Sequence, residues 1–217
     1  MKVIYVFDTL CIWCYGFSEV IGELHDEYRR RLPFEVVSGG MLRHERKGTL
    51  PEVGQYIRDG YPLVQRKTGA RFGEDFLEML EGNAPAVFDS DIPARAVAAF
   101  KMLHPAQTLA YTTEIQKAIF IDGMDPSNPL PYIDVAAEFD LEAKEFKRLF
   151  TGEESIAAAE RDFKRTVDLG ATGYPTVYFE FDGQPRLIAR GYTDFNVLQA
   201  RFDHVVSRAK AREQSMN

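Results

Sequence analysis

Val3-Ile4-Tyr5-Val6-Phe7-Asp8-Thr9-Leu10-Cys11-Ile12-Trp13-Cys14 opens the chain and holds both of its cysteines. Val3 to Phe7 is β-branched and aromatic, and reads as a buried strand. Asp8 and Thr9 are short polar residues able to cap a helix that opens at the cysteines. A C-x-x-C pair at a strand-to-helix junction puts one sulfur at the helix N-terminus and the other a turn later, within disulfide reach. That arrangement suits a dithiol redox centre.

Working outward, Val20, Ile21, Leu24, Tyr28 and Leu32 recur on one face and predict that the helix continues to about Arg31. Pro33 stops it, and Phe34 to Val37 gives a second strand ended by Gly39-Gly40. The unit is βαβ, with a right-handed crossover. From about Thr49 to Gly170 helix signals dominate and no convincing strand is found. Thr49-Leu50-Pro51-Glu52 reads as a cap with proline in the first turn. Ser90 to Pro93 opens a helix reaching Leu103, and Pro105 opens another to Gly123. Two short helices near 130–139 and 142–150 follow, then a longer one over 153–168 carrying Ile156, Phe163 and Val167. Strand character returns at Thr176–Phe181, with Asp182-Gly183 as a hairpin turn into Arg186–Ala189. A terminal helix with Val197, Leu198, Phe202, Val205 and Val206 ends the chain.

The fold class is therefore α/β. Residues 1–48 and 153–217 are expected to form one domain from two segments, with 49–152 an inserted helical domain. With 217 residues, 45% hydrophobic and 27% charged, the chain has the composition of an ordinary globular protein. A net charge of −7 argues against general affinity for nucleic acid or anionic membranes. Arg29-Arg30-Arg31 reads as the solvated end of a helix. No targeting signal is visible and no run approaches the ~18 apolar residues of a span, so the expected location is the cytoplasm. In that reducing compartment a cysteine pair points to redox work or metal binding more than to a structural staple.

A disulfide is attacked by a thiolate, which the N–H groups and dipole of a helix N-terminus favour. Cys11, nearer that end, is the expected exposed nucleophile. Cys14, one turn in, is expected to be more buried and to resolve the mixed disulfide. His25, His44, His104 and His204 show no paired ligand spacing, so no metal site is expected. Trp13 is a candidate substrate contact. Asp8, three residues before Cys11, is a candidate proton shuttle to Cys14, with capping as its other reading. His25 reads as a helix-surface residue; Met79, Met102 and Met124 read as core, and Tyr56 and Tyr61 are undecided. Gly173-Tyr174-Pro175-Thr176 marks a strand start, because proline cannot donate to the ladder. Only about 5–6% of such bonds are cis, so the local residues alone predict trans.

The strand, C-x-x-C helix, second strand, helical block and Gly-x-Pro-Thr before a hairpin together resemble the thioredoxin superfamily, and more closely its DsbA-like branch. Phe7 to Gly16, with its aspartate, C-x-W-C and following aromatic, resembles the cytoplasmic FrnE-like members. The resemblance implies a thioredoxin-like fold with an inserted helical domain, and a redox-active Cys11–Cys14 disulfide with Cys11 attacking. It implies that Pro175 is cis beside the thiols, overturning the trans expectation, and that the backbone of Tyr174 pairs with an extended substrate beside Trp13 and Thr176. No tightly bound cofactor is implied. Glutathione or another thiol is a candidate co-substrate, and the expected partners are a disulfide-containing protein or peptide and a regenerating thiol or reductase. Ile12 departs from the pattern, since typical members carry proline there; oxidant, reductant and isomerase therefore all stay open. Related folds supply one alternative, a glutathione-dependent isomerase or transferase of kappa-class type. Another is a redox-sensing peptide-binding or chaperone module.

Overall fold

A computed structural model describes residues 1–82 and 86–216. Strand β1 (Lys2–Phe7) is its axis, flanked by β2 (Phe34–Ser38) on one side and β5 (Thr176–Phe181) on the other. β6 (Gln184–Arg190) completes a sheet of order β2-β1-β5-β6. The β1–β2 pair is parallel, with Tyr5 opposite Val36, and β1–β5 and β5–β6 are antiparallel. Alternation sends Val3, Tyr5 and Phe7 to one face and Ile4 and Val6 to the other. Both sets are buried, as expected of a sheet covered on two sides.

Helix α1 (Ile12–Gly16) follows the cysteine loop, and α2 (Ser18–Tyr28) continues from it. The single helix expected to reach Arg31 is thus two helices, broken at Phe17, whose N–H is shared between the carbonyls of Trp13 and Cys14. Arg31 folds back over the Tyr28 ring, 5.0 Å from its centroid. His25 is not a plain surface residue: it packs edge-on against Phe34 at 4.8 Å, and burial lowers its pKa.

Between β2 and β5 run β3 (Gly48–Thr49), α3 (Leu50–Thr68), α4 (Glu74–Glu81), β4 (Val87–Phe88), α5 (Asp91–Leu103), α6 (Thr108–Phe120), α7 (Leu130–Ala137), α8 (Ala143–Thr151) and α9 (Glu153–Asp168). The antiparallel β3–β4 pair corrects the expectation of no strand in this stretch; at two residues each, its strands are too short to show alternation. Proline at the start of α3 and the Glu52 carboxylate receiving the Thr49 N–H at 2.7 Å form the expected cap. Of the residues expected inside, Phe163 and Met124 are buried, but Val167 is 75% exposed and Met102 lies on the surface. α10 (Phe195–Met216) closes the sheet, its Phe202 meeting Tyr28 and Phe179 edge-on.

The helical block is bound to the sheet by packing and by charge. Tyr15 of α1 packs on Phe72 and Phe120 at 5.3 and 5.1 Å, joining the motif helix to the aromatic core of the block. The Lys101 ammonium donates to the Val36 carbonyl at 2.6 Å and meets Asp162 at 2.8 Å, linking α5, β2 and α9. Among the described residues, no helix is long and apolar enough to cross a membrane.

Candidate active site

Cys11 is the N-cap of α1, with extended backbone (φ −87°, ψ 113°), and its Sγ accepts the Cys14 N–H at 3.4 Å. The same sulfur lies 3.8 Å from the Tyr174 carbonyl, to which its thiol donates. The Tyr174–Pro175 bond is cis, as the resemblance implied and against the reading from local residues. Both thiols are unbridged. Cys11 is only 2% exposed, so the expectation of an exposed nucleophile is corrected. Tyr174 lies against its sulfur, and α3 packs its Gly60 on the adjacent Ile12.

Cys14 has no exposed surface. Its Sγ accepts the backbone N–H of Asp8 at 3.5 Å. Burial first, then the neighbouring Cys11, pushes its thiol well above the usual range. Asp8 does not cap α1. Its carboxylate turns to the N–H groups of Leu10 (3.0 Å) and Met41 (2.6 Å), fastening the cysteine loop to the segment after β2. Burial nonetheless raises the Asp8 pKa, against the pull of those donors. Its hydrogen bond to Cys14 runs through the backbone and not through the carboxylate expected to shuttle protons.

Beside Cys11 opens a groove of about 670 Å³, lined by Trp13, Leu63, Arg66, Lys67, Tyr174 and the turn Gly191–Asp194. Trp13 and Tyr174 thus share the wall of one groove. Tyr174 is pinned: its hydroxyl donates to the Gly39 carbonyl at 2.6 Å, and burial pushes its pKa up to about 12. Thr176 is brought to the site's rear and not to the groove. It is fully buried, with its hydroxyl on the Gly173 carbonyl at 2.7 Å; it shapes the turn, which corrects its reading as a substrate contact. Among the described residues, no cluster of three or more His, Cys, Asp or Glu could hold a metal.

The sequence reading missed the α3 wall. Tyr56 is half exposed, and burial, followed by the nearby Cys11 and Cys14, pushes its hydroxyl to about 12. The available signal was the spacing of Tyr56, Gly60, Leu63 and Lys67 along one helix face.

This sheet order, with cysteines at the first helix, a cis-proline opposite them and helices inserted between, defines a thioredoxin-like fold of the DsbA type. The chain belongs to the DSBA-like thioredoxin domain family, whose model matches residues 2–203. Its fold is similar to that of a candidate protein disulfide isomerase from Nitrosomonas europaea, with 22% identity, TM-score 0.84, and 96% of this chain and 99% of that one covered. The cytosolic disulfide reductase DsbM from Pseudomonas aeruginosa is 26% identical, with TM-score 0.80 and coverage of 95% and 99%. The same protein with GSH gives 25%, 0.78, 95% and 100%. A 2-hydroxychromene-2-carboxylate isomerase is 14% identical at TM-score 0.64, covering 100% of both chains, a likeness of fold alone. No curated protein sequence matches.

Proposed function

We propose that the protein is a cytoplasmic thiol–disulfide oxidoreductase working in the reducing direction through Cys11 and Cys14. The observation that carries this reading is Cys11 Sγ, held between the Cys14 N–H and the carbonyl of Tyr174, a residue that lines the groove. The Cys11 thiolate attacks a substrate disulfide, forming a mixed disulfide and expelling one substrate thiolate. Cys14 then attacks Cys11 Sγ, expelling the second thiolate and closing the Cys11–Cys14 disulfide. Two equivalents of a cellular thiol such as glutathione reopen it, ending as the oxidised dimer, so electrons and protons balance. No tightly bound cofactor is needed. Similarity to the cytosolic disulfide reductase DsbM, one of whose solved structures is with GSH, supports the direction and the co-substrate.

The near-complete cover over Cys11 favours a small disulfide, or an extended peptide disulfide threaded between Trp13 and the Tyr174 backbone, over a compact surface. The test is glutathione-dependent turnover of a disulfide peptide and of a small disulfide other than oxidised glutathione by wild type, Cys11→Ser and Cys14→Ser. Cys11→Ser should lose turnover, and Cys14→Ser should accumulate mixed disulfides detectable by mass. Full turnover by Cys11→Ser would falsify the assignment.

A further inference from the structure

The groove shared by Trp13 and Tyr174 is also charged. Arg66 and Lys67 of α3 line it, and so does Asp194 in the turn before α10. Both segments are tied to the redox centre. Gly16 of α1 packs closely on α3: a Cβ there would lie 2.8 Å from Val64 Cγ1 and 2.9 Å from Thr68 Cγ2, residues that flank the two cations in the chain. The turn is held by the Gly191 N–H, which donates to the Pro175 carbonyl at 2.7 Å. Tyr192 of the same turn meets Phe17 edge-on at 6.3 Å.

Cations in the last turn of a helix are favourable on their own, and Arg66 and Lys67 lie in the last turn of α3. What sets them apart is that their charge is free. Arg58, earlier in the same helix, donates to the Leu80 carbonyl at 2.9 Å. Among the described residues neither Arg66 nor Lys67 has a side-chain hydrogen bond or ion pair, and both are exposed. Asp194, by contrast, accepts from the Tyr192 hydroxyl at 3.2 Å. The groove thus offers two free positive charges and one hydrogen-bonded carboxylate beside the apolar surface of Trp13 and Leu63. In a protein of net charge −7, such a local positive excess is what lets an anion approach.

We propose that Arg66 and Lys67 are specificity-determining residues that select anionic substrates: small disulfides whose thiol halves carry a carboxylate near the sulfur. This rests on the oxidoreductase reading and deepens it by naming the substrate class. A substrate carboxylate meets the guanidinium or the ammonium, and its short apolar chain lies on Trp13 and Leu63. The disulfide then reaches Cys11 past Tyr174, whose carbonyl holds that sulfur. The Cys11–Cys14 pair gives up two electrons and two protons and ends as a disulfide, while the substrate leaves as two thiols. The cations act on encounter and binding, which charge complementarity governs, and take no part in the sulfur exchange.

The test mixes reduced protein with small disulfides of similar size: dithiodipropionate with two carboxylates, hydroxyethyl disulfide with no charge, and cystamine with two ammoniums. Formation of the Cys11–Cys14 disulfide is followed by mass after acid quench. Each rate is divided by that of dithiothreitol with the same disulfide, which removes intrinsic reactivity. Wild type should prefer dithiodipropionate over hydroxyethyl disulfide about tenfold, a few-fold for each exposed ion pair, and should rank cystamine last. The preference should shrink between about 0.01 M and about 1 M salt, as the Debye length falls from about 30 Å to about 3 Å. Arg66→Gln/Lys67→Gln should erase the ratio, and Arg66→Glu/Lys67→Glu should reverse it in favour of cystamine. Equal corrected rates in wild type, a preference that salt does not weaken, or a ratio that both double variants retain would overturn the proposal and leave the oxidoreductase reading standing. The salt series needs no substitution, so it decides even where a variant misfolds. Wild type that forms no Cys11–Cys14 disulfide with any of these compounds overturns the oxidoreductase reading, and this inference with it.

Discussion

Gly60 of α3 rests directly on Ile12 of the cysteine motif: a Cβ at Gly60 would lie 2.8 Å from Ile12 Cδ1. The inserted helices therefore touch the redox centre itself, and Ile12 is fully buried beneath them. Where proline is typical of the family, isoleucine here supplies the apolar surface on which α3 lies.

A larger side chain at position 60 should lift α3 off the motif. Gly60→Val is expected to cost about 1–3 kcal/mol by overpacking and to speed alkylation of Cys11. Truncation in the pair Gly60→Val/Ile12→Ala should recover part of the loss, because the two sites share one contact. Denaturant melts and iodoacetamide trapping check this; equal alkylation rates in wild type and Gly60→Val would contradict the covering role.

Gly39 and Tyr174 form a second close contact. A Cβ on Gly39 would lie 2.1 Å from the Tyr174 ring, so Gly39→Ala should displace the residue that presents its carbonyl to Cys11. The expected outcome is a loss of about 2–3 kcal/mol together with slower attack by Cys11. Tyr174→Phe keeps the ring but loses the bond to the Gly39 carbonyl, at about 1 kcal/mol. Stability and single-turnover rates measured together distinguish the two.

Asp8 gives a pH signature. Its folded pKa is raised, chiefly by burial, so the native state favours the protonated acid. Its contribution is fully present below the unfolded pKa near 4 and is lost as pH rises through the higher folded value. Measured against Asp8→Asn, which does not titrate, the relative stability of wild type should fall over that window. The fall is about 1.4 kcal/mol per unit of elevation. Urea melts at several pH values report it; a difference that grew with pH would reverse the sign of the shift.

Much of this was legible in the residues. The β1 run, the C-x-x-C spacing, the Thr49–Glu52 cap and the Asp182-Gly183 hairpin are local signals, and each lies where its chemistry puts it. What escaped was set by tertiary contact. The break at Phe17 accompanies close packing of Gly16, where a Cβ would come within 2.8 Å of Val64. Cys11 is buried where Tyr174, far along the chain, lies against its sulfur, and Ile12 where α3 packs on it. Thr176 read as a substrate contact because the turn that occupies its hydroxyl forms only in the folded loop.

The most direct test is a redox titration of the Cys11–Cys14 pair in glutathione buffers, with thiols counted by mass after acid quench. The account predicts one two-electron transition between a dithiol and an intramolecular disulfide. Its potential should lie between about −270 and −200 mV, the region of thioredoxin and the glutaredoxins. Failure to form the Cys11–Cys14 disulfide at any ratio, or a potential near about −120 mV where a strong oxidant sits, would contradict it.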